Sequence, residues 1–346
     1  MSQMFFKIHE LFKQNRSFVL ATIIRVKGSA PRHPGAKGLF LEDGSLIGTI
    51  GGGLLEYRVR EKALQIIHSE IPYRYVFQLT GKELLESDML CGGEVEIYLE
   101  PFNSSHQNDR DFFARIVDLL NQDITGLALT LIKNEQNEAN YSRHILVADN
   151  DDMFGNIPFS NLQLNKLTSI RSPRLVHLQK NQDPIFVDPI KPESKLIIFG
   201  GGHIASFVAE LANLVNFRIQ VVDDREDFAN RRRFPKAEDI VVVPFEESFN
   251  HLKINSNTYL AILTRGHASD YKVLKQALLT QPAYIGMIAS KTKRQRIFEE
   301  LRKEGWNQEY LNQIYSPIGL NIGGQTPEEI AVSIVAELIQ VRGGQP

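Results

Sequence analysis

The strongest chemical signal in this 346-residue chain is Phe199-Gly-Gly-Gly-His-Ile-Ala205, a G-x-G-x-x-A run between an apolar stretch at 195–199 and a helical pattern. Gly200, Gly201 and Gly202 would let backbone N–H groups approach a phosphate at a helix N-terminus. Asp223 closes the next apolar stretch at about the spacing from which a carboxylate reaches a ribose hydroxyl pair; the plainer alternative is that it caps neighbouring structure. Arg225 and Arg231-Arg-Arg233 leave any preference between NAD and NADP open, because an arginine can hold a 2′-phosphate.

A second glycine run, Gly48-Thr-Ile-Gly-Gly-Gly53, fits no dinucleotide fingerprint. Leu55, Val59, Leu64 and Ile67 follow it at helical spacing, which places Gly51, Gly52 and Gly53 at a helix N-terminus, as an anion site or as a tight strand-to-helix junction. Arg32 and Lys37 belong to the turn-rich segment 28–37, where they could clamp a phosphate or be ordinary surface charges. Cys91 is the one cysteine. It is either a buried small hydrophobe or a soft ligand to a metal or sulfur centre, and Gly92 and Gly93 permit close backbone approach beside it. His33, His203 and His267 border glycine turns without the spacing of a preformed metal site.

These residues need elements to hold them. In the first half the apolar patterns predict a helix over 5–12, a strand over 18–26, a hairpin at Asp43-Gly44, a helix over 54–68, strands over 73–79 and 94–99, a helix over 112–120 and strands over 126–133 and 143–148. Residues 150–184 have little periodicity, and the proline-rich segment 184–194 reads as an interdomain boundary, giving domains 1–190 and 191–346. Beyond it, short apolar strands at 195–199, 218–223, 239–243, 259–263 and 284–288 alternate with helical patterns, as in a buried parallel sheet. The fold class is therefore α/β, a mixed N-terminal domain followed by a Rossmann-like one. Residues 200–203, 223–225, 264–267 and 289–293 should meet on the sheet's carboxyl rim. The last helix opens with Thr326 as N-cap, Pro327 and Glu329 as a capping box, and its stripe of Ile330, Ile334, Val335, Leu338 and Ile339 should pack on the sheet.

Composition narrows the function classes. A formal net charge of −2 gives no broad positive field for nucleic acid. No basic leader precedes an apolar core and no run of eighteen apolar residues occurs, so the expectation is a cytoplasmic protein without membrane contact. A lone cysteine excludes an internal disulfide and a multi-thiolate zinc site.

Taken in order, the segments Gly28-Ser-Ala-Pro-Arg32, Gly35-Ala-Lys37, 48–53 with Glu56, Cys91-Gly-Gly93, Gly200-Gly-Gly-His203, Asp223-Asp-Arg225 and 316–334 resemble the xanthine dehydrogenase accessory protein family, often called XdhC/CoxI, over nearly the whole chain. The resemblance implies maturation of molybdenum hydroxylases: binding molybdenum cofactor in its molybdopterin form, protecting it while a cysteine desulfurase-type donor installs a terminal sulfido ligand, and helping insert it into an apoenzyme such as xanthine dehydrogenase. It implies cofactor contacts at Arg32, Lys37, Gly51, Gly52, Gly53, Glu56, Cys91, Gly92 and Gly93, with Cys91 as the candidate molybdenum contact, and a possible nucleotide at Gly200, Gly201, Gly202, His203, Asp223, Arg225, Arg265 and His267. Three positions depart from the usual pattern, Gly38, Arg265 and Ala289, and the Arg265 form also resembles members that serve other molybdenum hydroxylases. A homodimer is the expectation from the frequency of twofold assemblies. The reading is a non-catalytic cofactor chaperone. Its rival, an NAD(P)-dependent oxidoreductase, rests on the Rossmann half alone and needs an acid or base for which His203 and His267 are the candidates.

Overall fold

The computed structural model describes residues 2–69, 71–78, 93–103, 105–132, 143–149, 152–155, 159–179 and 183–344. The chain divides into two compact units, Met1–Pro192 and Glu193–Pro346.

In the first unit the elements run α1 (Ser2–Lys13), β1 (Phe18–Lys27), β2 (Lys37–Leu41), β3 (Leu46–Gly48), α2 (Gly53–Ile66), β4 (Tyr73–Gln78) and β5 (Glu94–Phe102), and the strands form the first antiparallel sheet, ordered β3-β2-β1-β5-β4. After α3 (Gln107–Asn121), the strands β6 (Gly126–Leu131), β7 (His144–Ala148), β8 (Met153–Phe154), β9 (Arg174–Val176) and β10 (Ile185–Ile190), with α4 (Asn161–Thr168) inserted before β9, form a second sheet ordered β8-β7-β6-β10-β9. Strand β1 shows how alternation divides the core. Val19, Ala21 and Ile23 pack under α2, while Phe18 and Leu20 face α1 and α3 in a core that also takes Ala128, Leu146 and Ile190 from the second sheet. The hairpin turn forms at Asp43-Gly44, where Gly44 has φ +75° and Asp43 accepts the Ser45 N–H at 2.8 Å.

The structure corrects the reading of 184–194 as linker throughout. Ile185–Ile190 is a central strand, paired along its whole length with β6, and its proline is tolerated because β9 covers only Ile185 to Val187 on the other side. Within 150–184, where periodicity failed, α4 is only eight residues long and the two flanking strands have two and three. Elements that short carry no readable period.

In the second unit, β11 (Lys195–Phe199), β12 (Arg218–Asp223), β13 (Asp239–Val242), β14 (Thr258–Ile262) and β15 (Tyr284–Met287) form a wholly parallel sheet ordered β13-β12-β11-β14-β15. One face is covered by α5 (His203–Leu214) and α9 (Pro327–Arg342), and the other by α6 (His267–Ala277), α7 (Lys291–Lys303) and α8 (Gln308–Asn312). Alternate residues of β11 serve the two faces, Leu196 and Ile198 against Ile197 and Phe199. Helix α9 starts as expected: Thr326 accepts the Glu329 N–H at 3.3 Å, and Glu329 accepts the N–H groups of Gln325 and Thr326 at 2.8 and 3.1 Å. Ala331, Ile334, Val335 and Leu338 are buried. Ile339 is not, since its position turns it to the solvent side.

Candidate functional site

The N-terminal motifs meet around the start of α2. Gly51, Gly52 and Gly53 have φ of +136°, +77° and +55°, all in the left-handed region that side chains resist. A Cβ on Gly51 would stand 2.9 Å from Pro31 Cγ, so the triple glycine touches the loop between β1 and β2 that carries exposed Arg32. Gly93 packs against the end of β1 and the start of that loop: a Cβ there would overlap the Ser29 carbonyl oxygen and lie 2.7 Å from that of Lys27. Cys91 and Gly92 lie outside the described residues. Thus three separated motifs, 28–32, 48–53 and the end of Cys91-Gly-Gly93, share one place.

Glu56 organises it. Its carboxylate accepts from Thr49 Oγ1 at 2.6 Å and from the N–H groups of Ile50 and Gly52 at 3.0 Å each, while Gly51 N–H donates to Thr49 Oγ1 at 3.2 Å. Partial burial works against its ionisation, but the hydrogen bonds from Thr49, Gly52 and Ile50 outweigh it and hold the carboxyl below its usual range. Part of the loop's donor set is therefore already committed to an internal anion. The first-turn N–H groups of Gly53, Leu54 and Leu55 have no acceptor within the helix, and Arg32 is exposed in the neighbouring loop.

Lys37 stands elsewhere. It is the first residue of β2, and its ammonium is buried 2.7 Å from Asp188 Oδ2 and 5.5 Å from the Phe186 ring centroid. The sequence grouped it with Arg32 in one loop, but the strand begins earlier than its apolar residues do, and the register opposite Thr22 carries Lys37 between the sheets. Nearby, Glu100 Oε1 lies 3.4 Å from His144 Nε2, with the Phe112 ring stacked on the imidazole at 4.8 Å. Burial pushes the Glu100 carboxyl up to about 7 and the His144 imidazole down to about 3. Both pairs line a cavity of about 20 Å³. Asp188, Glu100 and His144 escaped the sequence reading; the one available signal was the same-face series Glu94, Glu96, Tyr98, Glu100 inside a buried strand.

On the C-terminal sheet's rim, Asp223 is fully buried and accepts from the N–H of Gly201 at 2.7 Å, the N–H of Arg225 at 3.0 Å and Arg225 Nε at 2.9 Å. Burial opposes its ionisation, yet Arg225 and the Gly201 N–H keep the carboxyl below its ordinary range. Of the two readings of Asp223, these contacts are those of a residue fastening its own loop. The Arg225 guanidinium lies 3.6 Å from the Phe228 ring centroid, a Cβ on Gly201 would overlap the Phe228 carbonyl oxygen, and Arg233 donates to Gly201 O at 3.0 Å. Gly200, at φ +101°, abuts Leu263 and Thr264. Gly202 is different: nothing lies within 4 Å of a Cβ built on it.

His203 is exposed as the first residue of α5, Arg265 is exposed after β14, and Gly266 at φ +92° precedes partly buried His267, the first residue of α6. The segments 264–267 and 289–293 converge as expected, through residues the sequence did not single out. Asp270, fully buried, accepts from the Thr264 hydroxyl and is ion-paired with the Lys293 ammonium. Burial nonetheless raises the Asp270 carboxyl above its usual range. Among the described residues no group of three or more His, Cys, Asp or Glu is placed to hold a metal ion, and no helix is long and apolar enough to cross a membrane.

Comparison with known proteins places this architecture. The family model of the XdhC Rossmann domain matches residues 196–338, and that of the XdhC and CoxI family matches residues 11–75. A protein of Bacillus subtilis (strain 168) described as a probable xanthine dehydrogenase subunit is 30% identical over 339 residues, covering 96% of this chain and 95% of that protein. The molybdenum cofactor insertion chaperone PaoD of Escherichia coli (strain K12) is 21% identical over 96% of this chain and 86% of its own length, and YqeB of the same strain is 25% identical over 97% of this chain, which spans 46% of it. A crystal structure of a Bacillus halodurans protein described as a xanthine dehydrogenase superposes with a TM-score of 0.80 at 27% identity, covering 99% of this chain and 96% of that one. With motifs, fold and a full-length relative in agreement, the chain belongs to the XdhC and CoxI family.

Proposed function

We propose that the chain is a maturation factor for a molybdenum hydroxylase such as xanthine dehydrogenase: it takes up molybdenum cofactor as cargo, shields it while a cysteine desulfurase-type donor supplies the sulfido ligand, and helps insert it into the apoenzyme. The observation that carries this reading is the meeting of residues 28–32, 48–53 and Gly93 around the start of α2. The donor set suits a phosphate-bearing pterin. Arg32 and the first turn of α2 offer charge and N–H donors to the phosphate, the space beside Gly52 admits close approach, and Cys91, two residues before Gly93, supplies a soft sulfur. In this reading Glu56 holds the loop in shape, and Lys37, neutralised by Asp188, supports the sheets beneath it. Family membership and likeness to a molybdenum cofactor insertion chaperone point the same way. A cytoplasmic homodimer fits the role.

The rival oxidoreductase needs an open ribose subsite, and the internal contacts of Asp223 weigh against one. Protein purified with molybdenum cofactor available, then assayed separately for molybdenum, pterin and nicotinamide, tests the two. Near-stoichiometric metal and pterin with little nicotinamide are expected, and Cys91→Ala should lower cofactor retention more than thermal stability, since alanine removes little volume but all of the sulfur chemistry. Tight NADH binding with hydride transfer and no pterin would overturn the assignment.

A further inference from the structure

The parallel sheet reverses its order at β11: β12 and β13 lie to one side, β14 and β15 to the other. Open α/β sheets bind ligands beyond the carboxyl ends of the strands at such a reversal. On the β12 side the glycine turn is engaged internally: Asp223 and Arg233 bond to the Gly201 backbone, Phe228 lies against it, and Arg225 holds Asp223. A dinucleotide spanning both sides of the reversal would have to displace these internal contacts of Asp223.

The β14 side is furnished differently. Thr264 lies two residues beyond the end of β14, His267 and Asp270 come from α6, and Lys293 comes from α7. Asp270 is wholly buried yet holds a lysine that remains about a quarter exposed at 24%, and it also receives the Thr264 hydroxyl. An ammonium has three donors, and the pair with Asp270 accounts for one. His267 Nε2 is buried and has no hydrogen-bond partner among the described residues. Exposed Arg265 and Lys291 stand in the same two connections, so cations outnumber the one carboxylate. Gly202, across the reversal, is the glycine of its run with open space over the α-carbon. A merely structural ion pair would account for Asp270 and Lys293; it does not account for a buried imidazole nitrogen, a cation excess and an open glycine at the same reversal.

We propose that this reversal point binds a phosphate monoester, with Lys293 as the charged contact, His267 as a bordering side chain, Gly202 as the point of backbone approach and Asp270 as the residue that positions Lys293. A dianionic monoester matches the local charge better than the singly charged phosphates of a dinucleotide, and it needs none of the Asp223 contacts on the β12 side. The site is independent of the cofactor-handling role assigned to the N-terminal unit.

Calorimetry on the full chain with inorganic phosphate, ribose 5-phosphate, nucleoside 5′-monophosphates, a pterin phosphate monoester and NAD tests it. Monoesters should bind more tightly than NAD, and the preference between nucleoside and pterin monoesters identifies the source. Lys293→Gln should weaken monoester binding about tenfold or more, the loss expected for one charge-assisted hydrogen bond, with Lys293→Arg recovering part of it. Gly202→Val should block binding while leaving the melting temperature near the parent's, since its Cβ meets nothing within 4 Å. Because Asp270→Asn breaks a buried pair and can unfold the unit, phosphate-dependent shifts of the His267 ring resonances in the unaltered protein provide a reading free of substitution. NAD binding tighter than every monoester, or parent-like affinity in Lys293→Gln, would sink the proposal. Monoester binding by a chain that retains no molybdenum cofactor would refute the maturation role and leave this site standing; cofactor retention without monoester binding would do the reverse.

Discussion

Glu100 and His144 illustrate how burial redistributes protons within one pair. The carboxyl rises from 4.5 to about 7 and the imidazole falls from 6.5 to about 3, so in the mildly acidic range between those two values a protonated acid faces a neutral ring. Glu100, with a raised folded pKa, contributes stability that is full below 4.5 and lost as pH rises through about 7; His144, with a depressed one, contributes stability that is full above 6.5 and lost as pH falls through about 3. Between 4.5 and 6.5 the two slopes cancel, because folded and unfolded chains each hold one proton on the pair. Glu100→Gln removes one slope and leaves the other. The variant should therefore begin to lose stability from this site near pH 6.5 on acidification, where the parent's loss begins near 4.5, and melting temperatures across that window read the difference directly. Superposable parent and variant profiles between pH 4.5 and 6.5 would show that the pair is not held neutral.

The loops and caps were the most legible elements, since glycine, proline and capping residues act through local backbone geometry that sequence exposes. The triple glycine at the start of α2, the Asp43-Gly44 hairpin and the Thr326 capping box all stand where their residues place them. What stayed hidden was decided by register and partner: Lys37 turned inward to Asp188, β10 ran through a proline, and Asp270 met Lys293 from another helix. No local pattern encodes such pairings. The same distinction ranks the glycines. Gly93→Ala drives a methyl into the carbonyls of Lys27 and Ser29 and should cost the most, about 1–3 kcal/mol for overpacking against backbone. Gly52→Ala meets nothing but must hold φ +77° with ψ −178°, a region essentially confined to glycine, which costs roughly 1–3 kcal/mol. Gly202→Ala has open space and φ −69°, and the entropy gain is set against alanine's poorer fit at the N-cap of α5, so it should change stability by less than about 1 kcal/mol. Denaturant unfolding of the three variants checks the order; equal losses would mean that these backbones relax more freely than their contacts indicate.

Across the molecule, each unit has its own complete set of apolar layers, which bears on where function can be separated. In residues 193–346 both faces of the parallel sheet are covered by helices of the same unit, and the buried clusters on each face draw on no residue before Leu196. In residues 1–192 the two antiparallel sheets share the core built on α1 and α3, with α2 and α4 covering their other faces. Fragments cut between Pro192 and Glu193 should each be expressed as folded, cooperatively melting proteins, because the boundary severs no strand pairing and β10, the last strand of the first unit, stays whole with its partners. If the maturation role belongs to the glycine loops at α2, the fragment 1–192 should retain molybdenum cofactor alone, and the fragment 193–346 should bind phosphate monoesters with the affinity of the full chain. Thermal melts and ligand assays on both pieces make the test. A fragment 193–346 lacking a cooperative transition would show that its core depends on the first unit, and cofactor retention found only in the full chain would place part of the binding chemistry beyond residue 192.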